Sequence, residues 1–519
     1  MNLFRSATTV GGLTMISRFL GFVRDMLIAA SLGTGPVADA FVVAFRFPNL
    51  FRRLFGEGAF NAAFVPLFTK ALERDGKHAA KKFGEEALSG LLFVLVIFTI
   101  LAELSMPWLI HVIAPGYADE PDKLELTKVL TQIAFPYLMF MSLVALLSGV
   151  LNSLGRFAAA AAAPILLNIV LIPVLCLIVY LEYIGEDIAG HMLVWGVSAA
   201  GLLQLIMLMI ACHREGFFLN LRRPRLTPQV KRLIILGIPG VIAGGITQIN
   251  LLIGTIIATL QDGAVSYLYY ADRIYQLPLG VVGVAIGIVL LPELSARLAA
   301  RDYDGAGNSQ NRALEFSMIL TIPCAVALVI IPQPILQVLF ERGAFTLADT
   351  KATADALAAF ALGLPSFVLI KIFSPGFFAR EDTKTPMMFA AIGVAINIAG
   401  SLALYSYIGH IGIALATSLA GWVNAALLWS ELSRRGAYAA DMRLRKRLLL
   451  IILASAIMGL ALWLVLPWID QAFTQEALLM IRIGALAGLV ILGICIFFAA
   501  AHILGAVRLS EFKSYMKRS

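Results

Sequence analysis

The sequence predicts an all-α polytopic membrane protein with fourteen transmembrane helices, and three observations predict it. Hydrophobic residues make up 60% of the chain and charged residues 14%, with a mean hydropathy of +0.88. A soluble domain is about 45–50% apolar and about 25% charged. Apolar runs of about 20 residues, the length that crosses a bilayer as a helix, recur from end to end, and the alternating ten-residue segments of a membrane barrel are not seen. Third, the connections between the runs alternate in charge.

Taken in order, the expected spans lie near 9–32, 38–68, 84–113, 125–152, 158–181, 190–212 and 232–260. The other seven lie near 267–296, 313–340, 350–378, 385–406, 411–431, 448–467 and 478–504. No small-x-small cleavage site follows a compact apolar core at the N-terminus, so the first span is expected to stay as an uncleaved anchor. The even-numbered connections are rich in Lys and Arg: "KALERDGKHAAKK", "HREGFFLNLRRPRLTPQVKR", "SRRGAYAADMRLRKR". The odd-numbered ones are short and often acidic: "APGYADEPDK", "EYIGEDIAGH", "QDGAVS", "PWIDQAFTQE". The positive-inside rule then places both termini and the even connections in the cytoplasm. The net charge of +8 is read as topology, not as a nucleic-acid footprint.

The chain also echoes itself. "GPVADAFVVAFRFPNL" from Gly35 resembles "GAVSYLYYADRIYQLPLG" from Gly263, and "FVPLFTKALERDG" resembles "LLPELSARLAARDYDG". Spans one to six and seven to twelve therefore read as two related six-helix lobes. Six is even, so both lobes start on the same side and are related by a pseudo-two-fold axis along the membrane normal, with a site expected between them. The expected divisions are 1–213 for the N-terminal lobe, 214–231 for a cytoplasmic linker, 232–435 for the C-terminal lobe, and 436–519 for two further helices and a tail.

Charge inside the spans carries the functional signal, because one charged side chain at the bilayer centre costs at least roughly 2.5–3.5 kcal/mol. On a helix of about 100° per residue, Thr14, Ser17, Arg18, Gly21, Arg24 and Asp25 form one polar seam of roughly 120°. That seam must face a wet cavity or paired charges. Asp39 and Arg46 share a face of the second span, Pro48 is expected to interrupt it, and Asn49, Arg52, Arg53 and Glu57 follow. Ser266, Tyr270 and Arg273 share a face of the eighth span with Gly280 and Gly287, and Lys371 sits in the tenth. Arginine stays charged at any working pH and grips phosphate with two parallel hydrogen bonds. A proton relay would use Glu, Asp or His, and an exporter of cations would need acids. The arginine excess therefore points to an anionic substrate. No Walker loop, nucleophile elbow or dinucleotide fingerprint is present, so no enzyme and no cofactor is expected. The four cysteines and six histidines show no metal-ligand spacing.

The stretches "SRFLGFVRD", "ADAFVVAFRFPNLFRRLFGEGAFNAAFVPLF", "YYADRIYQLPLGVVGVAIGIVLLP" and "SPGFFAREDTKTP" resemble the MurJ (MviN) family over essentially the whole length. These are lipid II flippases of bacterial peptidoglycan biosynthesis, within the multidrug/oligosaccharidyl-lipid/polysaccharide exporter superfamily. The resemblance implies two lobes around a central cavity, with spans thirteen and fourteen forming a lipid groove. It implies alternating access that carries lipid II, the undecaprenyl-diphosphate-linked disaccharide pentapeptide, from the cytoplasmic to the periplasmic leaflet of the inner membrane. Arg18, Arg24, Arg52 and Arg273 match the family's cavity arginines, and Ser17, Asn49 and Ser266 its polar cavity positions. Asp39, with Asp25 and Glu57, is implied in gating or in charge pairing. Gln276 stands where some relatives carry a glutamate, so the acid of that gate pairing is replaced here by a neutral amide. Energy would come from the membrane potential or a monovalent ion. Sodium would find only the neutral oxygens of Asn397, Ser401 and Thr417 here. Partners would be the substrate, membrane lipids and cell-wall synthesis or division machinery. The alternatives are a flippase for another undecaprenyl-diphosphate-linked oligosaccharide, a cation-coupled drug antiporter, and a membrane-bound glycosyltransferase or polymerase, which would need a catalytic acid and a longer connection than the odd-numbered ones here.

Overall fold

The computed structural model describes residues 3–52, 59–474 and 477–507. Among these the secondary structure is helical throughout, with no strand. A bilayer leaves few other choices, since every backbone N–H and C=O in hydrocarbon must be satisfied within its own segment. The first eight helices are α1 (Leu3–Leu32), α2 (Pro36–Arg52), α3 (Ala59–Ile113), α4 (Pro121–Ala134), α5 (Pro136–Ser153), α6 (Phe157–Tyr180), α7 (Asp187–Arg214) and α8 (Pro228–Ala258). The next nine are α9 (Ala264–Ala299), α10 (Tyr303–Ile330), α11 (Pro332–Leu339), α12 (Leu347–Ala361), α13 (Leu364–Phe378), α14 (Lys384–Ile408), α15 (His410–Arg434), α16 (Met442–Ile469) and α17 (Leu479–Ile503).

Among the described residues, ten spans are long and apolar enough to cross a membrane, or eleven with α8, which bends by 47° between Gly240 and Gly244. Of the other three expected spans, 9–32 lies within α1, 267–296 lies within α9, and 38–68 begins on α2 but ends within α3; α1, α2 and α9 carry Arg18, Arg24, Asp25, Asp39, Arg46, Asp272 and Arg273.

Several expected spans are broken or extended. The fourth is α4 followed by α5 across Phe135, with Pro136 opening α5, where its missing N–H costs nothing. The tenth divides likewise into α12 and α13 around Gly363. The interruption expected at Pro48 is absent: α2 runs through it to Arg52. The basic connection "KALERDGKHAAKK" is helical, because its Ala, Leu, Glu and Lys are strong helix formers. It is broken only at Gly76, whose φ of 82° a side-chain-bearing residue rarely adopts.

Two compact units divide the chain. The first comprises Met1–Ser266 with Arg342–Phe345, and the second Tyr267–Glu341 with Thr346–Ser519. In the first, α1 packs on α6, α6 on α7, α5 on both α3 and α7, α2 on α4, and α3 along α8. In the second, α14 packs on α15, α13 on α15, α10 on α13 and α16, and α16 on α17. The pairings α5–α7 and α6–α7 recur as α13–α15 and α14–α15, while α8, expected to open the C-terminal lobe, belongs to the first unit. The expected linker 214–231 belongs to the first unit and lies along α3. Arg222 Nε meets Glu85 at 2.5 Å, its backbone N–H donates to Ser89 Oγ at 2.8 Å, and Thr227 Oγ1 donates to Glu86 at 2.8 Å.

In the second unit α16 is moored to α10 by charge. Glu315, 5% exposed, accepts from Arg312, Arg443 and Arg447, and Arg312 also reaches Asp441. A buried carboxylate is tolerated only when paired and hydrogen-bonded, and here three guanidinium groups meet that need.

Candidate functional site

Among the described residues, the buried charges of the first unit that the sequence marks as site candidates form two polar centres, both in apolar surroundings. The first is on α1. Arg24 is 9% and Asp25 4% exposed. Arg24 Nε and Nη2 donate to Asp25 Oδ1 at 3.1 and 2.8 Å, and Nη1 donates to Asn168 Oδ1 on α6 at 3.0 Å. Asn168 is itself oriented, since its Nδ2 donates to the Ser17 carbonyl at 3.2 Å. Gly21 lies against this amide, within 3.8 Å of where a side chain would begin. The polar seam of α1 therefore meets one amide in the apolar run "PILLNIVLIP". The reading of the sequence did not single out Asn168, although a lone amide inside a span was the available signal. Arg18, two turns earlier, is exposed, and Ser17 is half-buried.

The second centre joins α2, α4 and the start of α9. Asp39 is fully buried. Its Oδ1 accepts from Ser266 Oγ at 2.7 Å and Ser266 N at 3.1 Å, and its Oδ2 accepts from Gly263 N at 3.0 Å. The carboxylate thus caps the N-terminus of α9 from a different helix, taking up N–H groups that have no partner within α9 and sitting at the positive end of its dipole. Lys123 balances the charge. Its Nζ is 2.8 Å from Asp262, 3.4 Å from Asp39 and 3.7 Å from Glu120, and it lies 4.3 Å from the centre of the Tyr117 ring. Its side chain is 3% exposed. Its hydrogen bond holds the Asp262 carboxyl, in the loop before α9, below the usual carboxylate range. Arg46, on the same face of α2 as Asp39, donates from Nη1 to Thr255 Oγ1 at 2.6 Å.

The remaining expected site residues are placed as follows. Asn49 is half-buried on α2. Arg52 ends α2, but its side chain lies outside the described residues, as do Arg53 and Glu57. In the second unit Arg273 is half-buried with its guanidinium 4.7 Å from the centre of the Tyr269 ring, a cation–π distance. Gln276 is exposed and donates to the Asp272 carboxylate. Thr417 Oγ1 donates to Asn397 Oδ1 at 3.1 Å, and Ser401 is buried. Among the described residues no group of His, Cys, Asp and Glu could hold a metal ion.

A family model described as lipid II flippase MurJ matches residues 28–484. The chain belongs to the MurJ family. A probable lipid II flippase MurJ of Rhizobium meliloti (strain 1021) is 50% identical over all of this chain and 97% of the relative. One of Rickettsia prowazekii (strain Madrid E) is 37% identical over 98% of this chain and 99% of its own length. Among solved structures, lipid II flippase MurJ in an inward closed conformation superposes with a TM-score of 0.78 at 26% identity, covering 95% of this chain and 98% of that one. An inward-facing multidrug resistance MATE family transporter of the MOP superfamily shares the fold, with a TM-score of 0.66 at 14% identity over 83% of this chain and 98% of that one. MurJ membership accords with a multi-pass membrane protein whose polar centres sit on helices too charged for an ordinary span.

Proposed function

We propose that this protein flips lipid II from the cytoplasmic to the periplasmic leaflet of the bacterial inner membrane by alternating access, without covalent chemistry and with both termini cytoplasmic. The supporting observation is full-length similarity to proteins that bear the lipid II flippase name, at 50% identity for one of them. The arginines give the reading its chemistry. A diphosphate needs cations that remain charged in a poorly hydrated site, and guanidinium meets that requirement. We assign Arg18, Arg24, Arg52 and Arg273 to the diphosphate and head group, with Ser17, Asn49 and Ser266 as neutral partners. Asp39 acts as a gate residue, because its carboxylate couples the end of one helix to the body of another. The membrane potential, worth about 2.3 kcal/mol per charge per 100 mV, or a monovalent ion supplies the drive.

The test is complementation of a bacterium depleted of its own flippase, with periplasm-facing lipid II quantified beside survival. The wild-type chain is expected to restore both. Arg24→Ala and Arg273→Ala, inserted at equal levels, are expected to restore neither. A wild-type chain that inserts normally but restores no exposed lipid II would refute the substrate assignment. Arginine variants that work as well as wild type would refute the site assignment alone.

A further inference from the structure

An open cationic cleft lies in the first unit, apart from both polar centres. It has a volume of about 510 Å³ and is bounded by α1, the turn from α5 to α6, and the end of α7. Its walls divide by chemistry. Leu151, Phe157, Ala158 and Ala211 supply an apolar side, and Arg156 and Arg214 a cationic one. The single acid is Glu215, held by Arg156 Nε at 3.0 Å. That pair uses one of the three nitrogens of Arg156. Among the described residues the terminal nitrogens of Arg156 and the whole guanidinium of Arg214 meet no carboxylate and no carbonyl. Two guanidinium groups against one carboxylate leave a net positive wall beside a hydrocarbon one. Arg156 is also the N-cap of α6 and brings no side-chain cap, so the dipole of that helix adds to the same field.

We propose that this cavity binds the phosphate head group of an anionic lipid, with its chain along the apolar wall. An ordinary solvated charge pair would explain Arg156 with Glu215. It would not explain the cleft, open to solvent on one side, the apolar wall or the second, uncommitted arginine lining the same space. Guanidinium grips a phosphate bidentately. The positive-inside reading puts this end of the unit at the cytoplasmic leaflet, where anionic head groups attract basic segments. The site stands apart from Arg24 and Asp39, so its test is independent of the transport reading.

The experiment measures binding to the purified full-length protein in neutral detergent. The probes are short-chain phosphatidic acid, the zwitterionic phosphatidylcholine of the same chain length, and inorganic phosphate as competitor. Phosphatidic acid should bind wild type about tenfold or more tightly than it binds R156Q/R214Q. Ala158→Glu, which leaves both arginines in place and puts an acid in the wall, should lose binding equally. R223Q/R225Q, which removes the same charge from the exposed linker, should bind as wild type does. Equal affinity of wild type and R156Q/R214Q would overturn the proposal. So would an equal loss in R223Q/R225Q, which would mark general surface charge, and so would tight phosphatidylcholine binding. Displacement by inorganic phosphate at matching concentration would overturn the assignment to a lipid.

Discussion

Asp39→Asn is the sharpest perturbation of the second polar centre. The replacement is isosteric and uncharged. One amide oxygen can keep the Ser266 Oγ and N–H bonds, now 2.7 and 3.1 Å to Oδ1. The amide nitrogen then faces the Gly263 N–H, at present 3.0 Å from Oδ2, donor against donor. A hydrogen bond to a charged acceptor is worth about 1.5–3 kcal/mol, and a buried unpaired donor costs about 1–3 kcal/mol. Lys123 offsets part of the loss, because Asp262 at 2.8 Å remains its closer partner. A net cost of about 3 kcal/mol follows, on the order of a hundredfold in the equilibrium for local opening. Hydrogen exchange of the segment 261–268 in detergent-solubilised protein reads this directly. The expected result is faster exchange there by about that factor, with the amides of α14 and α15 unchanged. Unchanged protection at 261–268 in Asp39→Asn would refute the capping argument, and with it the assignment of Asp39 as the residue that couples α2 to α9.

Glu315→Gln leaves Arg312, Arg443 and Arg447 facing a neutral amide; loss of one partner from a buried ion cluster costs about 3–5 kcal/mol, so thermal unfolding in detergent should begin earlier. Gly343→Ala should destabilise more than Gly436→Ala. Both positions have positive φ, 57° and 64°, but a methyl at Gly343 would lie 2.2 Å from the Ala30 carbonyl oxygen while one at Gly436 meets open space. Comparable thermal shifts would contradict that contact. Asp382, in the loop after α13, has its carboxyl held down to about 2 by the Thr385 N–H and hydroxyl and by Arg435. Its folded value lies below the unfolded one, so its stabilisation is full above about pH 5 and fades as pH falls through about 2. The thermal midpoint of wild type minus that of Asp382→Asn should shrink over that window, and a difference flat with pH would contradict it. Asp25→Asn should tighten binding of a diphosphate lipid while slowing its transport, measured by binding and flipping assays on one preparation.

The helical membrane fold was legible because hydropathy and charge are summed over long windows, where single errors average out. The breaks were less legible. A window sees "TQIAFPYLMF" as one apolar run, although Pro136 was a visible reason for a new helix to start there. The opposite error occurred at Pro48, where α2 continues because one lost backbone bond does not outweigh the packing of the helix on α4. At the site, Arg24, Asp25, Asp39 and Ser266 were legible as polar groups in apolar stretches that need a partner. The partners themselves were not. Lys123 and Asp262 lie in short acidic connections that read as solvated loops, and only the fold turns Lys123 inward to 3% exposure. Spacing along one helix shows which residues share a face; it does not show what that face meets.

That distinction bears on how an arginine in this family can both fold and bind. Arg24 has its Nε and Nη2 committed to Asp25 and its Nη1 to Asn168. These bonds use three of the five guanidinium N–H groups, and a diphosphate that took the place of either acceptor would carry a different cost. Replacing Asp25 would leave a buried carboxylate beside an incoming anion, a penalty of several kcal/mol unless the carboxylate swings away or is neutralised. Replacing Asn168 costs one neutral acceptor and frees the amide that holds the Ser17 carbonyl. The cheaper exchange is therefore at Asn168, and it would loosen α6 from α1 while Asp25 keeps its grip. Asp25 pairs with the guanidinium as an anion would, so the arginine is not left as an unpaired charge among apolar neighbours. With Arg24 on the diphosphate as proposed, the same acid would weaken substrate binding and so favour release. Its cost in affinity and its contribution to turnover would then be the same interaction, which is why the expected effects of Asp25→Asn on binding and on flipping have opposite signs.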